Sequence, residues 1–263
     1  MDLGLRGKTA IVCASSKGLG KAVALGLAEE GVNLTICARG KEALEKTANE
    51  IRDRFGVNVL SVQADVSNPE DVKKVVSLTV STYSTVHILV NNAGGPPVGS
   101  FLEIPPHEWQ RAVELNLFST VNFTREVLPY MRKQKWGRII NITSIAVKQP
   151  LDGLILSNTA RAGVIGFAKT VSNEFARENI LVNNVCPGRI LTDRIIELAS
   201  ERARRYNKSL DEVIRAMEED IPAGRIGTPE ELANLVVFLA SERASYITGT
   251  TIQVDGGLVK AVF

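Results

Sequence analysis

Apolar residues occur along this chain in short runs, most of them without regular polar alternation, and longer stretches with helical spacing separate the runs. The runs predict strands at 9–13, 33–37, 57–63, 88–91, 137–142, 181–186 and 251–254, and the stretches between them predict helices at 19–30, 41–55, 70–81, 107–133, 159–177 and 229–241. Runs without polar alternation are typical of parallel strands whose two faces are both covered by helices. The pattern therefore predicts an α/β fold, a Rossmann-type doubly wound parallel sheet of about seven strands.

One stretch does not fit the alternation. Residues 191–225 are long, charged and helical, and they follow the sixth predicted strand. They contain Glu201 and Arg205, an ion pair of i,i+4 spacing. The stretch is either a solvated helical excursion or a substrate lid, because ligands bind beyond the carboxyl ends of strands in open α/β sheets. We predict a lid inserted in a single domain that spans residues 1–263.

Composition narrows the class of protein. The 263 residues include 31 basic and 29 acidic side chains, and the net charge of +2 does not favour a nucleic-acid partner. No apolar run approaches the roughly 18 residues of a membrane span, and the first run is too short for a secretion signal. Cys13, Cys37 and Cys186 have no metal-binding spacing and are interpreted as small buried residues in a reducing compartment. We expect a cytoplasmic protein without a metal site, a nucleic-acid partner or a membrane partner.

A glycine-containing turn follows the first predicted strand and opens a helix. It runs through Ala14, Ser15, Ser16, Lys17, Gly18, Leu19 and Gly20. Glycine lets a backbone approach a diphosphate closely, and a helix N-terminus offers free N–H groups to it. The second strand is followed by Arg39, where an acidic residue would bind the ribose hydroxyl of NAD and a cation suits the 2′-phosphate of NADP. NADP(H) is the preferred cofactor, NAD(H) stays open, and Lys17 and Arg39 as two solvated cations are the alternative.

Later motifs are Asn91-Asn92-Ala93-Gly94 after the fourth predicted strand, Pro187-Gly188 after the sixth and Tyr246-Ile247-Thr248-Gly249 near the C-terminus. With the glycine-containing turn, they resemble the motifs of the short-chain dehydrogenase/reductase family, and the layout is most like its 3-oxoacyl-(acyl-carrier-protein) reductase group. The resemblance implies cofactor contacts from Ala14, Ser16, Lys17, Gly18, Leu19, Gly20, Arg39, Asp65, Val66, Asn92, Ala93, Gly94, Arg161, Pro187, Gly188, Ile190 and Thr192. It implies catalytic roles for Asn116 and Ser144. It also implies that helices 107–133 and 159–177 pair copies of the chain into a dimer or tetramer.

The sequence departs from the family at three positions. Ala14 stands where the first glycine of the phosphate loop is usual. Counting from Ser144, the positions of the catalytic tyrosine and lysine hold Ser157 and Arg161, which we predict to be catalytic in their place. A serine hydroxyl is a far weaker acid than a phenol, and a guanidinium does not release its proton near neutral pH.

Two functions remain open from the sequence. One is an NADP(H)-dependent oxidoreductase that acts on a small carbonyl/alcohol pair through an atypical proton-transfer centre. In it Arg161 would hold the nicotinamide ribose, stabilise an oxyanion or pair with a substrate carboxylate. The other is an NADP(H)-binding regulatory or sensor protein with little or no activity.

Overall fold

A computed structural model describes residues 1–262, and residue 263, the last of the predicted domain, lies outside the described part. Its centre is a seven-stranded sheet in which every neighbouring pair is parallel, in the order β3-β2-β1-β4-β5-β6-β7. The strands are β1 (Thr9–Val12), β2 (Asn33–Ala38), β3 (Val59–Gln63), β4 (Ile88–Asn91), β5 (Gly137–Ile142), β6 (Ile180–Pro187) and β7 (Thr251–Val254). The order reverses between β1 and β4, and this is where doubly wound sheets bind ligands.

Helices cover both faces of the sheet. They are α1 (Gly18–Glu29), α2 (Lys41–Phe55), α3 (Pro69–Tyr83), α4 (Pro106–Val113), α5 (Ser119–Gln134), α6 (Ile155–Phe175), α7 (Asp193–Tyr206), α8 (Leu210–Glu219) and α9 (Pro229–Ala240). One apolar cluster packs α1, α2 and α9 on one face, and a second packs α3, α5 and α6 on the other. Because both faces are buried, most strand residues are apolar without regular alternation, and the polar residues among them, such as Asn141 and Asn184, are buried as well.

Helix ends follow local signals in the sequence. Asn68 accepts a hydrogen bond from the Glu70 N–H at 2.9 Å and caps α3, with proline in the first helical turn. Ser209 and Glu212 form a reciprocal capping box at the start of α8. These caps satisfy N–H groups that a helix leaves without partners.

The 191–225 segment folds into α7 and α8, which pack on each other through an apolar cluster of their own. Its buried members include Ile195, Ala199, Val213 and Met217. The cluster is separate from the two large ones, so the pair of helices forms a small unit beyond the end of β6.

The predicted fold class and single sheet are confirmed. The third strand begins at Val59 instead of residue 57. The predicted helix 107–133 consists of α4 and α5, which are joined without a gap by a π-helical turn at Glu114–Phe118. No helix within residues 1–262 combines the length and apolarity needed to cross a bilayer.

Candidate active site

The phosphate loop between β1 and α1 is tightly packed at its base. A Cβ atom on Gly20 would lie 2.3 Å from the Ala14 carbonyl oxygen and 2.9 Å from Asn92 Nδ2, so only glycine fits there. Asn92 Nδ2 donates to the carbonyls of Cys13 and Ala14, at 3.3 and 3.4 Å. The loop and the chain after β4 are thereby joined across the point where the strand order reverses.

Two loop residues adopt the left-handed backbone conformation, Gly18 with φ +55° and Ala14 with φ +48°. Glycine enters this region freely, whereas a Cβ makes it costly for alanine. Ala14 therefore adopts the left-handed conformation that the usual glycine would adopt, and its backbone is strained.

The start of α1 is open to an anion. Lys17 occupies the N-cap position, its side chain makes no capping hydrogen bond, and the first turn holds no acidic residue. The side chain of Lys17 turns to α7, where its Nζ lies 2.6 Å from Asp193 Oδ2, and this partner raises the pKa of Lys17. The free N–H groups of the turn and its partial positive charge remain available.

Arg39 lies exposed at the end of β2 and forms no ion pair within residues 1–262. Its carbonyl accepts a hydrogen bond from Gln63 Nε2 at 2.9 Å, which ties it to β3. Asp65 follows β3, and its carboxylate accepts hydrogen bonds from the Ser67 N–H and hydroxyl at 2.9 and 2.7 Å. Val66 is buried beside it. The charge of Arg39 contributes to a lowered pKa of Asp65, yet Arg39 forms no direct ion pair in the described chain, at the end of the groove where the sequence places the ribose.

Arg161 is the central polar residue of the site, and it is almost fully buried on α6. Nη1 donates to the carbonyls of Ile142 and Thr143, both at 3.2 Å, at the end of β5. Nη2 donates to those of Ala93 and Gly94, both at 3.4 Å, beyond β4. Together with the bond from Nε described below, these contacts engage all five N–H groups of the guanidinium. Burial lowers the pKa of Arg161 to about 10, helped by the charge of Arg194, so it remains a cation at neutral pH.

Two serine hydroxyls next to Arg161 keep their protons free. Ser157 Oγ accepts from Arg161 Nε at 3.2 Å, one helical turn away. Ser144 Oγ, after β5, accepts from the Ala146 N–H at 3.1 Å. A hydroxyl that accepts a hydrogen bond still has its own O–H to donate. Both can therefore donate to a ligand oxygen.

Asn116 lies buried in the π-helical turn. Such turns within α-helices often occur at functional sites. Its Nδ2 donates to the Gly94 carbonyl at 3.1 Å, while Oδ1 is buried without a partner within residues 1–262. An orphaned buried acceptor costs free energy unless a ligand or water donates to it.

A row of asparagines lies beneath the site, and the sequence analysis missed it. Asn91 donates to Asn141 Oδ1 and Asn141 donates to Asn184 Oδ1, both at 2.9 Å, across β4, β5 and β6. The three positions are directly paired in the sheet register. The sequence signal for this row was an asparagine near the carboxyl end of each of three predicted strands, at 88–91, 137–142 and 181–186.

The chain after β6 closes the groove. A Cβ on Gly188 would lie 2.5 Å from Asp255 Cβ, so glycine after Pro187 allows this close approach to the chain beyond β7. Ile190 is buried, and Thr192 lies beside the phosphate loop, since a Cβ on Gly18 would be 3.5 Å from Thr192 Cγ2. The 191–225 segment therefore begins against the phosphate loop.

Arg194, in the first turn of α7, is a further residue that the sequence analysis missed. Its Nη2 donates to the Pro96 carbonyl at 2.9 Å. A Cβ on Gly95 would be 3.0 Å from the guanidinium, so glycine lets the side chain lie on the backbone. Its place soon after Thr192 was the only signal in the sequence.

Comparison with known proteins identifies the family of the chain. The sequence profile described as enoyl-(acyl carrier protein) reductase matches residues 13–259. The chain is 38% identical to the 3-oxoacyl-(acyl-carrier-protein) reductase of Aquifex aeolicus, over 98% of this chain and 100% of the relative. It belongs to the short-chain dehydrogenase/reductase family of oxidoreductases, as the motifs predicted.

The chain is also similar to solved structures of reductases. The chain is similar to L-sorbose reductase from Gluconobacter frateurii, crystallised with NADPH and L-sorbose, at 38% identity and TM-score 0.95 over 100% of both chains. It is also similar to a single-residue variant of actinorhodin polyketide ketoreductase with NADPH, at 32% identity and TM-score 0.93, over 97% of this chain and 98% of the ketoreductase.

Proposed function

We propose that the protein is an NADP(H)-dependent carbonyl reductase whose atypical centre is built from Ser144, Ser157 and Arg161, which bind and stabilise the substrate oxygen. The observation that carries this proposal is the buried Arg161–Ser157 pair, which occupies the position of the family's lysine and tyrosine within an otherwise complete groove. The relatives crystallised with NADPH support the choice of cofactor.

The residues of the groove fit NADP(H). Gly20 lets the phosphate loop pack tightly at its base, where a Cβ would clash with the Ala14 carbonyl oxygen, and the uncapped start of α1 presents N–H groups to a diphosphate. Arg39, a cation without a carboxylate partner in the described chain, suits the 2′-phosphate. When bound, the cofactor supplies the hydride. Asp65, Val66, Asn92, Ala93, Gly94, Pro187, Gly188, Ile190 and Thr192 would line its path.

Ser144 and Ser157 bind the substrate oxygen in this proposal. Each hydroxyl accepts a hydrogen bond from the protein and keeps its own O–H available to donate. As negative charge develops on the carbonyl oxygen, two preorganised donors and a buried cation stabilise it. A solvent water would supply the proton that completes the alcohol, and the hydroxide left behind would exchange with solvent. Asn116 Oδ1, a buried acceptor without a partner in the described chain, would hold that water by accepting one of its hydrogen bonds.

Arg161 acts here through its charge and its position. Because its N–H groups are used on main-chain carbonyls and Ser157, no donor is left for a substrate carboxylate. It ties together the carboxyl ends of β4 and β5 and supports the two serines. A centre without a phenol loses part of the 10²–10⁴-fold that positioned proton transfer typically gives, so turnover should be slow by family standards.

The experiment combines calorimetry of NADPH and NADH binding with NADPH oxidation over a panel of ketones, oxo acids and 3-oxoacyl thioesters. Ser157→Ala should lower kcat at least about tenfold and leave NADPH affinity unchanged, as loss of a hydrogen bond to a developing charge predicts. Thr170→Ala, an exposed hydroxyl on the same helix, is the matched control. Turnover that survives Ser157→Ala intact would contradict the assigned centre.

A regulatory or sensor protein is the second candidate. It is favoured by one observation, that neither Ser157 nor Arg161 gives up a proton near neutral pH. Tight NADPH binding without turnover of any compound in the panel would support it.

The remaining features are proposed on indirect grounds. A groove of about 670 Å³ between α5 and α6, lined by Leu128, Phe167, Val171 and Phe175, supports pairing of copies into a dimer or tetramer. Light scattering checks the assembly, and the Phe167→Asp variant should shift it toward monomer.

Three free, buried cysteines support a reducing, cytoplasmic setting. The 191–225 segment is proposed as the substrate lid, because α7 begins against the phosphate loop.

A further inference from the structure

Two guanidinium groups bind the same short stretch of backbone beyond β4. Arg161 donates to the carbonyls of Ala93 and Gly94 from within the core, and Arg194 donates to that of Pro96 from α7. The carbonyls that accept from Arg161 and Arg194 are thus two residues apart. The two cations are therefore near neighbours at the substrate end of the groove.

The charges of this pair are poorly balanced by the protein. Arg161 has no carboxylate partner within residues 1–262. Arg194 approaches only Glu197, at 3.5 Å, and the Glu197 side chain is 64% exposed. Two nearby cations repel each other in a partly buried site, as the effect of Arg194 on the pKa of Arg161 also indicates. An anion between them and the solvent would relieve this repulsion.

Only one of the two guanidiniums can hold that anion directly. The donors of Arg161 are all engaged, whereas Arg194 contacts just the Pro96 carbonyl and Glu197, and its side chain is 38% exposed. An arginine has five N–H donors in a planar fork that matches a carboxylate. Arg194 thus has donors to spare and solvent access, in the segment proposed as the substrate lid.

We propose that Arg194 binds a carboxylate carried by the carbonyl substrate, so that the enzyme prefers oxo acids to neutral ketones. This rests on the proposed function and extends it to a substrate class. Arg161 contributes attraction through its charge, and Arg194 contributes the hydrogen bonds.

The experiment compares 2-, 3- and 4-oxo acids with their methyl esters, which lack the negative charge. The wild type should have the higher kcat/KM on the acids. Arg194→Gln should lower kcat/KM for the acids about ten- to hundredfold, mainly through KM, because it removes a charge-assisted hydrogen bond, and should change the esters little. Arg204→Gln, an exposed arginine of the same helix, is the matched control and should behave as wild type.

A readout independent of turnover separates this inference from the proposed function. Calorimetry of an oxo acid added to the protein saturated with NADP⁺ should show binding in the wild type and in Arg204→Gln, and not in Arg194→Gln. Equal losses on acids and esters, or a parallel fall in NADPH affinity, would overturn the assignment in favour of lid closure or a contact to the cofactor diphosphate. An equal kcat/KM of the wild type on esters and acids would also overturn the carboxylate site, while carbonyl reduction itself would still be supported. NADPH binding without turnover of either set, with oxo-acid binding intact, would overturn the proposed function and support the anion site.

Discussion

The left-handed alanine of the phosphate loop allows a stability prediction with a worked magnitude. Ala14 has φ +48°, which costs an L-residue with a Cβ about 1–2 kcal/mol. Glycine removes that strain but makes the unfolded chain more flexible, which costs roughly 0.4–1 kcal/mol. Ala14→Gly should therefore stabilise the protein by roughly 0.5–1 kcal/mol. At about 2–4 °C per kcal/mol for a chain of this size, Tm should rise by roughly 1–4 °C.

The assay is thermal and urea denaturation without cofactor, beside calorimetry of NADPH binding. Ala43→Gly, at an exposed site in α2, is the matched control and should destabilise by about 0.5–1 kcal/mol because no strain is relieved there. NADPH affinity should be kept in Ala14→Gly, since the backbone path is already the one that glycine prefers. A variant Ala14→Gly that is no more stable than wild type would refute the reasoning about strain.

Three further predictions follow from single contacts. Gly20→Ala places a Cβ 2.3 Å from the Ala14 oxygen, so it should destabilise by roughly 1–3 kcal/mol in urea and weaken NADPH binding by calorimetry. Arg39→Asp should lower NADPH affinity about ten- to hundredfold and NADH affinity much less, and equal losses would show that Arg39 does not contact the 2′-phosphate. Burial, with a smaller contribution from Lys8, lowers the pKa of His87 to about 4 from 6.5, so stability that is complete above pH 6.5 falls as the pH approaches 4. Urea denaturation should show this loss, roughly 1–2 kcal/mol after allowance for the partial exposure of the ring, and His87→Asn should abolish the difference.

Much of the fold was predictable because its signals are local. Short, mainly apolar runs marked the seven strands, and the glycines around Lys17 marked the phosphate loop, since each signal depends on neighbours in the sequence. The π-helical turn at Asn116 was not predictable, because nothing in residue preference separates it from an ordinary helix.

The contacts that define the site were not predictable, because they join distant parts of the chain. The positions of Ser157 and Arg161 were found by counting from Ser144, but the acceptors of Arg161 are main-chain carbonyls, which have no sequence signature. The ion pair of Lys17 with Asp193 joins residues 176 positions apart. Sequence reasoning identified the cation and could not find its partner.

Transfer of deuterium from NADPH labelled at the transferable position tests the central claim most directly. The protein is incubated with the labelled cofactor and the panel of oxo acids, esters and thioesters, and the products are analysed by mass spectrometry. We predict an alcohol that carries deuterium on the carbinol carbon, formed more slowly by Ser157→Ala than by wild type. A protein that binds NADPH in calorimetry and yet yields no deuterated alcohol from any compound would contradict the account.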